Sequence, residues 1–169
     1  MRRNQELPIK LCGLHCLDSC RIEKAFRHFG HDISTEDNAL EAGLGFAVKT
    51  HKPKSKFGEF NGKYAIEKTK QEGLEKRLFQ FVLDDPQPLL YHNEPIIRDG
   101  KIAGYLTSGN YGHFLGSSIG MGYVACNKKG ESLEEQLDSK YMIDVAGKRI
   151  LAKVFFKPAY DPDAIKVKL

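Results

Sequence analysis

Two tight turns between apolar runs constrain this 169-residue chain more than any other feature of it. In "EPIIRDGKIAGYLTSG" the pair Asp99-Gly100 separates two apolar segments. That pair suits a two-residue hairpin loop, where both central residues take positive φ. "YMIDVAGKRILAKVFF" repeats the arrangement, with Ala146-Gly147-Lys148 at its turn. "KRLFQFVLD" (76–84) alternates and ends in a Pro-rich turn, and "SSIGMGYVAC" (117–126) is a further strand with glycines alternating through it. Four or more strands joined by tight turns predict a small antiparallel barrel or sandwich over residues 75–158. "ESLEEQLDS" (131–139) has helical propensity but reads as a connection, being short and polar.

Upstream the texture is helical. Residues 13–29 read as one helix, with Leu14, Leu17, Ile22, Phe26 and Phe29 recurring on its apolar side and Gly30 stopping it. Ser34 and Thr35 are candidate N-caps for a short helical turn that leads into a strand-like "LGFAVK". "NGKYAIEKTKQEG" (61–73) reads as a surface helix ended by Gly73. Residues 1–74 therefore hold two helices and one or two strands, too little to close a core alone, and exposed apolar surface with association is expected of them.

Net charge is a modest +4 with the basic residues spread along the chain, which excludes a strongly basic nucleic-acid binder. No run of eighteen apolar residues exists, so no membrane-spanning helix is expected. "MRRNQELPIKLCGL" lacks the apolar stretch of a secretory signal, and four cysteines then fit a reducing compartment. The one basic concentration, "KTHKPKSK" (49–56), is read either as a solvated connection or as a contact for an anionic ligand tail.

The segment "CGLHCLDSCRIEKAFRHFGHD" carries three cysteines and three histidines and has the composition of a metal site. Its spacing does not. Cys12, Cys16 and Cys20 stand four apart, so on a helix the outer pair lies about 12 Å apart along the axis. One zinc ion needs its sulfurs within about 4 Å of one another. The cysteines read instead as small side chains buried on one helix face, and His15, His28 and His31 as solvated or capping residues. At about 100° per residue, Cys16, Ser19, Cys20 and Glu23 share one arc. A carboxylate among small side chains leaves room for a flat ligand and can accept two hydrogen bonds from the edge of a 2-amino-4-oxo heterocycle. The competing reading pairs Glu23 with Arg27 at i+4.

"CGLHCLDSCRIEKAFRHFGHDI", "ALEAGLGFAVK", "EPIIRDGKIAGYLTSGNYGHFLGSSIGMGYV" and "VAGKRILAKVFFKPAYDP" resemble, in the same order, the C-terminal half of the glycine-cleavage T-protein (aminomethyltransferase) family. They resemble more closely the T-protein-like module of sarcosine and dimethylglycine dehydrogenases, where the helix reads approximately "LxSLRxEKxYRxWGxDI". The resemblance runs from about residue 11 to 162. It implies an α+β chain in which residues 1–74 are the C-terminal part of a folate-binding α/β domain. Residues 75–169 would form a small antiparallel β-barrel with a C-terminal tail.

It implies a tetrahydrofolate site in which Glu23 holds the pterin edge and Tyr160 belongs to a tail packed toward the pocket. Asp18 and Arg21 would stabilise the domain. The family's arginine after "LEAGL" has no counterpart, so Lys49, Lys52 or Lys54 would meet the folate tail, as a point charge rather than a bidentate fork. No aspartate here matches the family's catalytic one, so no catalytic residue and no metal ligand is assigned.

An FAD-binding oxidase domain would likewise belong to a missing domain or partner, since no GxGxxG follows a strand. The expected function is that of the C-terminal portion of a folate-dependent one-carbon transfer protein, inactive without its N-terminal half or an oxidase subunit. A regulatory or scaffold module with the same fold is the alternative. The expected location is the cytoplasm, or the mitochondrial matrix in a eukaryote.

Overall fold

A computed structural model describes residues 10–50, 59–127 and 129–168. Six strands form a closed antiparallel barrel: β1 (Lys76–Leu83), β2 (Pro95–Arg98), β3 (Lys101–Gly112), β4 (Ser117–Ala125), β5 (Tyr141–Val145) and β6 (Lys148–Phe155). Around the barrel they run β1-β4-β3-β2-β5-β6, and β6 closes on β1. Closure leaves no strand edge unpaired, which a twisted six-stranded sheet of this size would otherwise expose.

Alternation along β1 assigns the two faces. Phe79, Phe81 and Leu83 point into the barrel with Leu90, Ile96, Leu106, Val124, Tyr141 and Ile143. Leu78 points outward and packs with Ile22, Ala25, Ile119 and Met121 beneath the N-terminal helix. Each large apolar side chain fully buried this way contributes about 1.5–3 kcal/mol. The alternating glycines of β4 have a steric cause: a Cβ at Gly120 would lie 2.7 Å from Leu106, and one at Gly122 the same distance from Ile96. Phe81 pairs with Gly120 and Phe79 with Gly122, so bulk on one strand faces absence of bulk on the next.

Both hairpins fall where the turns were expected. Asp99 and Gly100 have φ of 49° and 84°, and Ala146 and Gly147 have 50° and 84°. Alanine has no side-chain oxygen to offset left-handed backbone, which asparagine tolerates better. Ala146→Asn is therefore expected to raise stability by about 0.5–1 kcal/mol, read as an upward shift in the urea midpoint at unchanged slope. An unchanged or lowered midpoint would contradict it. Residues 133–137 are more than the expected connection. They form a short helix, Leu133–Leu137, opened by a reciprocal Ser132–Glu135 capping box, and its Leu133 and Leu137 pack on the barrel core.

The N-terminal portion departs further from expectation. The long helix is α1, Leu14–Glu23, and the chain turns away at Ala25, whose φ is 51°. Beyond it Arg27 donates to the carbonyls of Ala25 and Ala42, holding the chain in a turn. Leu14, Leu17, Phe26 and Phe29, read as the apolar side of one helix, are 56–77% exposed, and only Ser19, Ile22 and Glu23 of α1 are buried. The "LGFAVK" strand is a 3-10 turn, Gly45–Ala47. Ser34 caps a turn through Asp37 and Glu36 rather than a helix. The surface helix α2 spans Lys63–Glu72 and stops at Gly73.

Candidate functional site

The site lies where α1 ends against β3 and β4. Ser19 Oγ donates to the Tyr111 carbonyl at 2.8 Å, fixing the helix to the end of β3. One turn later Glu23, 7% exposed, places Oε1 at 2.7 Å from the Phe114 amide nitrogen and 3.0 Å from that of Leu115. The carboxylate thereby caps the loop between β3 and β4. Gly112 makes room for it, since a Cβ there would lie 3.1 Å from Oε1. Two amide donors occupy the acceptor positions of Oε1, while Oε2 has no hydrogen-bond partner among the described residues. Glu23 does not pair with Arg27, whose guanidinium serves backbone carbonyls.

Two side chains tie this corner together. Arg21 spans Asp18 (3.1 Å), Asp32 and Ser108 (3.2 Å), and Asp32 also accepts from Thr107, so α1, the following turn and β3 are locked through one ion cluster. Gln80, 2% exposed, donates to the Ile22 carbonyl and accepts from the Ala159 amide at 2.7 Å. It binds the end of α1 and the C-terminal tail to the same strand. Its signal in the sequence was a glutamine inside the apolar run "LFQFVL"; the helical reading of Glu23 alone could not find it.

That tether brings Tyr160 to the site. Its ring stands 4.4 Å from the Phe114 ring, tilted by 49°. Lys24 Nζ donates to the Asp161 carbonyl at 2.6 Å and to its carboxylate at 3.1 Å. Loss of solvation opposes ionisation of Asp161, and the hydrogen bonds from Lys24 and the Ile165 amide outweigh it, so the carboxyl titrates below its usual range. Lys49 is exposed, and Lys52 and Lys54 lie outside the described residues.

The cysteine reading needs correction. Cys12, Cys16 and Cys20 are exposed: Cys12 precedes α1, and α1 turns Ser19 and Glu23 toward the barrel and leaves Cys16 and Cys20 on the opposite border of the same arc. Among the described residues no group of three His, Cys, Asp or Glu side chains is placed to hold a metal ion. The His28 and His31 rings pack 4.5 Å apart, beside a cavity of about 230 Å³ that His15 and His92 also line. No described helix is long and apolar enough to cross a membrane.

Residues 76–161 match the family model of the glycine cleavage T-protein C-terminal barrel domain, and residues 1–52 match the GCVT N-terminal domain. The chain is 36% identical over 164 residues to 4-methylaminobutanoate oxidase (formaldehyde-forming) of Paenarthrobacter nicotinovorans, covering 97% of itself and 19% of that protein. It is 32% identical to mouse mitochondrial sarcosine dehydrogenase (92% and 16%) and 37% identical to the mouse mitochondrial pyruvate dehydrogenase phosphatase regulatory subunit (94% and 19%). Among solved structures, the glycine cleavage system aminomethyltransferase T of Bartonella henselae superposes with a TM-score of 0.64 at 25% identity, over 81% of this chain and 36% of that one. The chain thus spans less than a fifth of the length of these three curated relatives. Barrel, helix and motif order agree, and the chain belongs to the glycine cleavage T-protein family.

Proposed function

We propose that the chain is the C-terminal portion of a tetrahydrofolate-dependent one-carbon transfer protein. The observation that carries this reading is Glu23, with Oε1 fixed by two amides and Oε2 left to accept from a ligand. A carboxylate oxygen held this rigidly, beside exposed aromatic surface, suits the donor edge of a pterin. Tetrahydrofolate supplies the nitrogen that receives the one-carbon unit. The chain's own part is to orient that acceptor and keep water from it. The group that assists the amine donor, and any flavin, belong to a domain or subunit outside this chain.

Leu14 and Leu17 of α1 and Phe26 beyond its end line one exposed apolar surface. The chain spans 36% of the superposed aminomethyltransferase, and the remainder of such a protein, in the same or another polypeptide, is the partner assigned to this band. Self-association is the expected behaviour of the band when it is left uncovered.

Isothermal titration of tetrahydrofolate into the 169-residue chain is expected to show saturable binding. No binding up to millimolar ligand would overturn the folate reading. A second reading, a regulatory or scaffold module, draws on the likeness to the phosphatase regulatory subunit. It predicts that the chain, supplied with a T-protein N-terminal half, forms a complex that transfers no one-carbon unit.

A further inference from the structure

Lys166 lies beyond the family-matched barrel, in the 3-10 turn Lys166–Lys168. Its Nζ stands 4.4 Å from the centroid of the Phe114 ring and 4.6 Å from that of Tyr160, and donates to the Tyr160 hydroxyl at 3.1 Å. Two rings and a hydroxyl hold this ammonium in place. No carboxylate among the described residues pairs with it, whereas neighbouring Lys24 is neutralised by Asp161. The Phe114 amide meanwhile holds Glu23, and the Phe114 ring is 66% exposed. Phe114 therefore links a carboxylate acceptor, through its amide, to an exposed aromatic ring and a cation without a carboxylate partner among the described residues.

A ligand complementary to that series carries a donor edge, a flat aromatic link and an anionic end. We propose that Lys166 receives the carboxylate-bearing tail of the ligand whose heterocycle Glu23 anchors, with the Phe114 ring supporting the aromatic link. The inference rests on the folate reading and assigns the tail to the C-terminal turn rather than to the basic segment 49–56. A lysine held by rings offers a point charge, so it selects for negative charge at the tail without fixing its geometry. Phe114 and Tyr160 limit the freedom that a surface lysine would otherwise lose on binding.

Titrations of the 169-residue chain with tetrahydrofolate, and with a tetrahydropterin that lacks the benzoylglutamate tail, test this. In Lys166→Gln the affinity for tetrahydrofolate is expected to fall about fivefold, as for one partly exposed ion pair. Affinity for the tail-less pterin should not change, and Glu23→Gln should weaken both ligands. Phe114→Leu, which keeps the amide that holds Glu23, should also weaken tetrahydrofolate selectively. Equal losses for both ligands in Lys166→Gln, no loss for either, or a tail-selective loss in Lys52→Gln or Lys54→Gln instead would overturn the assignment while leaving the folate reading intact. Failure of the wild-type chain to bind tetrahydrofolate would remove both.

Discussion

Glu23→Gln is expected to reduce tetrahydrofolate affinity about 100-fold with little change in stability. The amide is isosteric, and its oxygen can still accept from the Phe114 and Leu115 amides, so the loop between β3 and β4 keeps its cap. Its NH₂ then occupies the place of Oε2 and turns two donors toward a donor edge. The loss combines charge-assisted hydrogen bonds, each about 1.5–3 kcal/mol, with ligand donors left unpaired. Glu23→Ala should behave differently. It strands two amides at a site where the carboxylate was 7% exposed, at about 1–3 kcal/mol of folding stability, and it loses binding as well. Comparing urea midpoints with titration isotherms for the two variants separates capping from recognition. If Gln binds like wild type, Glu23 is a cap alone.

Much of the barrel was legible because its signals are local. Asp99-Gly100 and Ala146-Gly147 fix hairpins within four residues, and β1 announces its two faces by simple alternation. The region around α1 resisted because its order comes from distant partners. Nothing between Leu14 and Phe29 says that the helix must stop at Glu23. The stop follows from Gln80 collecting the Ile22 carbonyl, from Arg27 holding the turn beyond it through Ala25 and Ala42, and from the Phe114 and Leu115 amides collecting the Glu23 carboxylate. The same long-range docking chose Ser19, Ile22 and Glu23 as the buried face, which left the three thiols outside and the apolar residues Leu14 and Leu17 exposed. The wheel groups Glu23 with Cys16, Ser19 and Cys20, and of these four the fold buries Ser19 and Glu23 and leaves both thiols exposed. The division of labour between the two oxygens of Glu23 depends on a loop ninety positions away.

The largest stability effect is expected at the far end of the barrel, from Arg98→Met. Arg98 and Glu131 side chains are 3% and 4% exposed and join through two hydrogen bonds of 2.6 and 3.0 Å. Arg98 also donates to Ser139 and to the Glu135 carbonyl, and Glu131 accepts from the Asn127 amide, so the pair fastens β2 to the helical segment that covers the barrel end. Removing one member leaves the other charge buried without compensation, about 3–5 kcal/mol.

The double change Arg98→Met with Glu131→Leu should recover most of that loss, because the desolvation of both ions disappears with them. The pair also sets a pH signature. Hydrogen bonding from Arg98 holds the Glu131 carboxyl below its ordinary range. A carboxyl depressed in the folded state stabilises fully above its unfolded value, near about 4.3, and loses that contribution as pH falls toward the folded value. Wild type should therefore lose stability through this acid window more steeply than the double variant, as read by thermal unfolding at a series of pH values. Parallel curves, or a single variant costing under about 1 kcal/mol, would show that the pair is solvated and that the barrel end is held by Leu133 and Leu137 alone.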